Sequence, residues 1–241
     1  MKITFLYHSA FLVELDHSTL LFDWYGGTLP EFDRTRPLYV FSSHHHGDHY
    51  SPEIFTALGM ENVWYILSNC IRLSAKRKLT LGILEDHVVR LGAGRELDLG
   101  PLHVTTYPST DAGVAFLVEV EGKTLFHAGD LNWWHWNGEP GSWNQDMERD
   151  FKAACAQFQG RAVDAAFLVL DPRQEDAYWW GFDWMMRSLQ AKAAFPMHSW
   201  EDFPIVQRLK RRPESRPYRD RIREIYYNGQ SFSIVDAVEK K

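Results

Sequence analysis

Short runs of apolar, β-branched and aromatic residues, broken by turn residues, dominate the chain from its start. Ile3 to Tyr7 and Ala10 to Leu15 are rich in β-formers, His17-Ser18 marks a turn, and Thr19 to Phe22 runs into Asp23. These segments predict an opening β-meander. Residues 24–36 hold Gly26, Gly27, Pro30 and mixed charges, and read as a long loop. Pro37 to Phe41 predicts the next strand. Ser51-Pro52-Glu53 predicts a helix over 52–58, with Ser as N-cap and Pro at the first helical position. Val63 to Leu67 reads as a short strand, followed by a basic helix through Arg72, Lys76 and Arg77. Val88 to Leu91 and the region of Leu97 suggest more strand.

The second half repeats this texture. Leu102 to Tyr107 is a strand, and Val114 to Val120 with Thr124 to Phe126 forms a hairpin on the Glu121-Gly122 turn. That hairpin delivers Ala128-Gly129-Asp130 at a strand end. Met147, Phe151, Ala154, Cys155 and Phe158 are spaced for a helix over 145–159. Val163 to Leu170 reads as one buried strand ending at Asp171. Residues 182–192 and 201–209 read as helical, and Ala193 to Met197 as a strand ending at His198. Glu224 to Tyr227 and Ser231 to Val235 flank Asn228-Gly229, a hairpin signal. No repeat or linker divides the chain, so one domain over 1–241 is expected. The order of elements favours an α+β fold of two packed sheets with helices outside.

Composition narrows the class. The chain has 241 residues, 45% hydrophobic and 24% charged, ordinary for a soluble globular domain. A net charge of −6 argues against a nucleic-acid partner. The two cysteines, Cys70 and Cys155, imply no disulfide framework. No signal peptide or run of transmembrane length is seen, so the expected location is cytoplasmic with no membrane partner.

Candidate chemistry centres on Ser43-His44-His45-His46-Gly47-Asp48-His49. His44, His46, Asp48 and His49 supply imidazole and carboxylate donors of the kind that Zn²⁺, Mn²⁺, Fe²⁺ and Ni²⁺ accept. The cluster lies between a strand end and a helix start. Asp130 and His198 also stand at strand ends. Six donors exceed the needs of one tetrahedral ion, so two divalent ions sharing a carboxylate are the economical arrangement. The Trp-rich stretch from Leu131 to Trp143 reads equally as a pocket wall, as core packing or as a homo-oligomer contact. The basic segment Arg208 to Arg223 is either a solvated surface or an attraction for an anionic substrate.

These residues resemble the metallo-β-lactamase fold superfamily, in particular its L-ascorbate-6-phosphate-lactonase-like branch of metal-dependent hydrolases. The resemblance rests on Asp23, His44-x-His46-x-Asp48-His49, Phe126-His-Ala-Gly-Asp130 and Pro196-Met-His198. It implies a four-layer αββα sandwich. It also implies that His44 and His46 hold one metal, that Asp48, His49 and His198 hold a second, and that Asp130 bridges them. Asp23 would support the His loop from behind, and Asp48 would orient the nucleophile as well as bind metal. Tyr7-His8-Ser9 resembles a Gly-His-Ala stretch of that branch. His8 is therefore open between a role toward substrate and simple packing.

One position departs from the pattern. Where the superfamily places a further His before the hairpin, this chain reads Tyr107-Pro-Ser-Thr-Asp111-Ala-Gly. Asp111 either replaces that ligand, favouring harder ions, or only caps a turn, which leaves a one-metal centre. The expected activity is hydrolysis of a small-molecule ester, lactone or phosphoester. A di-iron redox protein and a non-catalytic metal-binding protein are the alternatives. No Gly-x-Ser-x-Gly elbow is present, and neither Cys sits beside a motif His.

Overall fold

The computed structural model describes residues 1–58, 61–73 and 85–234. Its strands are β1 (Lys2–Tyr7), β2 (Ala10–Glu14), β3 (Thr19–Phe22), β4 (Leu38–Ser42), β5 (Val63–Ser68), β6 (Val88–Leu91), β7 (Glu96–Leu99), β8 (Leu102–Pro108), β9 (Val114–Val120), β10 (Lys123–His127), β11 (Ala162–Val163), β12 (Ala165–Val169), β13 (Gln190–Ala191), β14 (Ala194–Met197) and β15 (Ser231–Ser233). The α-helices are α1 (Gly141–Ala156), α2 (Trp180–Ser188) and α3 (Pro204–Arg211). One large sheet runs β15-β1-β2-β3-β4-β5-β6, a second runs β14-β12-β10-β9-β8-β7, and β11 and β13 form a separate two-stranded ladder. Each large sheet mixes antiparallel hairpins with parallel pairs, as in β3–β4–β5 and β10–β12–β14.

The period-two side-chain alternation of strands explains the packing. Phe11, Phe22 and Phe41 point inward from the first sheet and meet Phe167, His127 and Phe116 of the second, at ring separations of 4.3, 5.1 and 5.3 Å. Ala10, Leu12 and Leu21, on the opposite face, join Trp24, Phe32, Ile54 and Leu58. Among the described residues that outer face is covered by loop and a single 3₁₀ turn. Phe151, Ala154 and Cys155 of α1 and Phe182, Met185 and Met186 of α2 belong to the main core. Beyond the second sheet's hairpin, Phe158 lies against Phe126 and Tyr107. No described helix is long and apolar enough to cross a membrane.

Several local expectations need correction. Ser51 does cap Pro52, its Oγ accepting the Glu53 N–H at 3.2 Å, but only the 3₁₀ turn Pro52–Phe55 follows. The strand expected from Val163 breaks at Asp164, whose carboxylate accepts the Thr124 N–H at 2.9 Å. The helix expected over 182–192 stops at Ser188, because Gln190 and Ala191 pair with β11. Asn228-Gly229 closes no hairpin. Ser231–Ser233 instead pairs with β1, and Phe5 N–H donates to the Gln230 carbonyl at 2.9 Å. The open edge of β1 offers more backbone partners than a local turn. The expected basic helix falls mostly outside the described residues; Arg72 is not helical.

Candidate metal centre

Asp23 builds the His loop. It ends β3, beside the end of β4, and is fully buried. Its carboxylate accepts the Ser43 N–H at 2.7 Å, the Ser43 hydroxyl at 2.6 Å and the His49 Nδ1–H at 2.7 Å. One side chain thus ties both ends of the loop. With its hydroxyl proton given to Asp23, Ser43 accepts the His44 Nδ1–H at 2.9 Å. Across the site, His198 Nδ1 donates to Asp171 at 2.9 Å. Each outer nitrogen is held by a partner, and each Nε2 is turned toward Asp130.

The separations are 3.4 Å from His44, 3.1 Å from His49 and 3.5 Å from His198 to the Asp130 carboxylate. Among the described residues these three Nε2 atoms and Asp130 Oδ1 are buried without a hydrogen-bond partner. An unpaired buried polar atom costs about 1–3 kcal/mol. Four of them converging on one point fit a bound cation. Burial disfavours charge on Asp130, but His49, His198 and His44 outweigh it and hold the carboxyl well below its usual range. Burial, reinforced by His49, lowers the His44 pKa to about 4. His49 shows the opposite balance: burial is outweighed by Asp130 and Asp23, and its pKa stands well above the ordinary value.

Two donor groups result. His44, His46, Asp111 and Asp130 form one; His8, Asp48, His49 and His198 form the other, each with ligand atoms within 4.8 Å of one another. All the residues singled out as metal donors in the sequence therefore meet here, with His8 beside them. Asp111 Oδ2 lies 3.7 Å from His46 Nδ1, and both side chains are half-exposed. The turn around Asp111 is capped by Ser109, whose Oγ accepts the Asp111 N–H at 3.2 Å. Burial and the nearby Asp130 raise the Asp111 pKa. His45 is exposed and belongs to neither group. His127 packs beneath the site: Nε2 donates to the Ser9 carbonyl and Nδ1 accepts the Gly129 N–H. His103 pairs with Asp98 at 2.7 Å on β7.

The backbone bends sharply to deliver these side chains. His8, Asp23 and His198 take φ of +46°, +44° and +64°, a region costly for non-glycine residues and typical of functional sites. At Gly113 and Gly129 the left-handed backbone presses on Ser43. An added Cβ would lie 1.9 Å from the Ser43 carbonyl oxygen and 2.7 Å from the Ser43 Cβ, respectively.

A cavity of about 290 Å³ opens beside the first group, lined by Asp111, Asp130, Trp134, Trp136, Trp143, Met147 and Arg173 among others. Three tryptophans of the aromatic loop thus form its wall, and Trp134 Nε1 donates to the Asp130 carbonyl at 3.0 Å. Trp133 turns away, toward Phe151 and Trp180. The basic segment does not line this cavity. Arg208 and Lys210 pair with Asp202 and Glu224, and Arg212 with Glu214. The lining cation is Arg173, which also holds Asp171. Neither Asp171 nor Arg173 was recognisable from motif content. The available signal was an Asp-Pro pair ending a buried strand. Asp171→Asn is expected to weaken metal affinity by roughly 10–100-fold, because His198 loses its charged partner. Isothermal titration of the two proteins with Zn²⁺ measures this, and equal affinity would refute the linkage.

A family model described as Beta-lactamase superfamily domain matches residues 2–134. A protein of Alkaliphilus metalliredigens named metal-dependent hydrolase is 30% identical over 225 residues, covering 86% of this chain and 88% of its own length. A protein of the same description from Opitutus terrae is 30% identical over 153 residues, covering 54% of this chain and 63% of its own, less than two thirds. Among solved structures, a metallo hydrolase from the archaeon Ignicoccus hospitalis superposes with a TM-score of 0.61 at 19% identity, over 97% of this chain and 99% of that one. The metallo-β-lactamase fold protein YhfI from Bacillus subtilis gives 0.62 at 14% identity, over 96% and 99%. These two likenesses concern the fold.

Proposed function

The chain belongs to the β-lactamase superfamily domain family and has the metallo-β-lactamase fold, and from that premise we propose that it hydrolyses small-molecule esters, lactones or phosphoesters that carry an anionic group, using one or two divalent ions. The observation that carries this reading is the convergence of the unpartnered Nε2 atoms of His44, His49 and His198 on Asp130, at the edge of a cavity. A divalent ion held there supplies Lewis acidity and lowers the pKa of a water that enters its coordination sphere. His44, His46, Asp111 and Asp130 would hold one ion, and Asp48, His49 and His198 the second, with Asp130 between them. A carboxylate at Asp111 in place of an imidazole favours Mn²⁺ or Fe²⁺ at the first position.

The cavity supports the substrate class. Its volume is near the lower end of ligand pockets, about 300–1,000 Å³, which suits a small metabolite. Trp134 and Trp136 stack at 5.8 Å with an interplanar angle of 8° and offer a flat apolar wall. Arg173 lines the cavity while held by Asp171, and its guanidinium would attract an anionic group there.

Dialysis against a chelator is expected to reduce hydrolysis of a panel of lactones, esters and phosphodiesters to background. Added Mn²⁺ or Zn²⁺ restores it, and anionic members show lower KM than their neutral analogues. Full activity in metal-free protein would defeat the reading, and equal KM for charged and neutral substrates would defeat the role given to Arg173.

A further inference from the structure

We propose that His8 is a metal ligand, joining Asp48, His49 and His198 as the fourth donor of the second group. The proposal rests on the metal-dependent reading above and assigns a ligand that this reading lacks. His8 ends β1 in a left-handed conformation and is only 8% exposed. Its carbonyl accepts the His198 N–H at 2.9 Å, which ties the two strand ends together. The His8 ring lies 4.1 Å from that of His198 and 5.5 Å from that of His49.

The decisive atom is His8 Nε2. It is buried, lacks a hydrogen-bond partner among the described residues, and sits 3.4 Å from Asp48 Oδ2. Donors bound to one tetrahedral ion at about 2.1 Å stand roughly 3.4 Å from each other. The separation suits two ligands of one cation, and it also keeps the ring within ion-pair range of that carboxylate. Three imidazoles and one carboxylate are donors that Zn²⁺ and other divalent ions accept.

The test counts metal and needs no substrate. Full-length wild type, His8→Ala and His8→Gln are stripped, reloaded with Co²⁺ or Zn²⁺, dialysed and analysed by plasma mass spectrometry and Co²⁺ absorption. Wild type is expected to retain an ion that both variants lose or bind more than about 100-fold more weakly. That exceeds the roughly 10–100-fold cost of losing an outer hydrogen-bond partner. Circular dichroism of the stripped proteins checks that the variants fold. Histidine nitrogen NMR of the wild type gives an answer independent of any variant, since a ligated His8 ring nitrogen shifts on Zn²⁺ loading. Wild-type protein that takes up no ion overturns the hydrolase reading together with this one. Variants that keep the wild-type ion count and affinity, or an unmoved His8 resonance, overturn the assignment of His8 alone.

Discussion

Asp130→Asn releases metal from both halves of the centre and lowers hydrolysis by about 10³-fold or more. The amide keeps the shape of the carboxylate, so the fold at the end of β10 is preserved and the effect reads the charge. Among the described residues, Asp130 is the one carboxylate within reach of all of His44, His49 and His198. It lies between the two donor groups and on the cavity lining. Removing one preorganised electrostatic partner from an active site costs roughly 10²–10³ in rate. Here the loss also removes the carboxylate on which His44, His49 and His198 converge, so the upper end or beyond is expected. Metal analysis and initial rates on the same preparations measure the effect. A variant with its full ion content and near-normal turnover would show that Asp130 does not bridge.

Gly113→Ala acts on the same centre through the backbone, and its main effect is on stability. The residue has φ of +73°, and a methyl group there would sit 1.9 Å from the Ser43 carbonyl oxygen and 2.6 Å from the His44 Cβ. The Val114 N–H donates to that same carbonyl at 3.1 Å, so β9 and the start of the His loop have no room to separate. Left-handed strain and overpacking each cost about 1–3 kcal/mol. A combined loss of about 3 kcal/mol corresponds to a Tm lower by roughly 6–12 °C in a chain of this size. Any relaxation that relieves the clash moves His44, so metal affinity falls as well. An unchanged Tm in thermal unfolding would show that the close approach to Ser43 carries no constraint.

Legibility followed the range of the interactions involved. The Glu121-Gly122 hairpin and the amphipathic spacing of α1 depend on residues a few positions apart, and both were readable. The Asn228-Gly229 hairpin failed because the competing partner, β1, lies more than two hundred residues away in the chain. The stretch from Val163 reads as one strand, yet Asp164 divides it through a bond to Thr124 on β10. His44, His46, Asp48 and His49 stand out because a dense donor motif is visible within seven residues. Asp171 and Arg173 carry no such motif. Their part in the site exists only where β12 and β14 end side by side and His198 meets Asp171.

The sequence by itself determined the donor types and the strand ends that carry them, because side-chain chemistry and period-two burial are local properties. It also determined that the first position offers a carboxylate, Asp111, where an imidazole is the pattern. Only the tertiary structure decided how these donors divide into two groups, because that division follows from which strand ends meet. It also decided that Ser109 rather than Asp111 caps its turn, and that Arg173 rather than the basic segment supplies the cation beside the tryptophans. Most of all it decided the place of His8. The chain alone leaves it open between a role toward substrate and simple packing, and folding brings its buried Nε2 beside Asp48, His49 and His198.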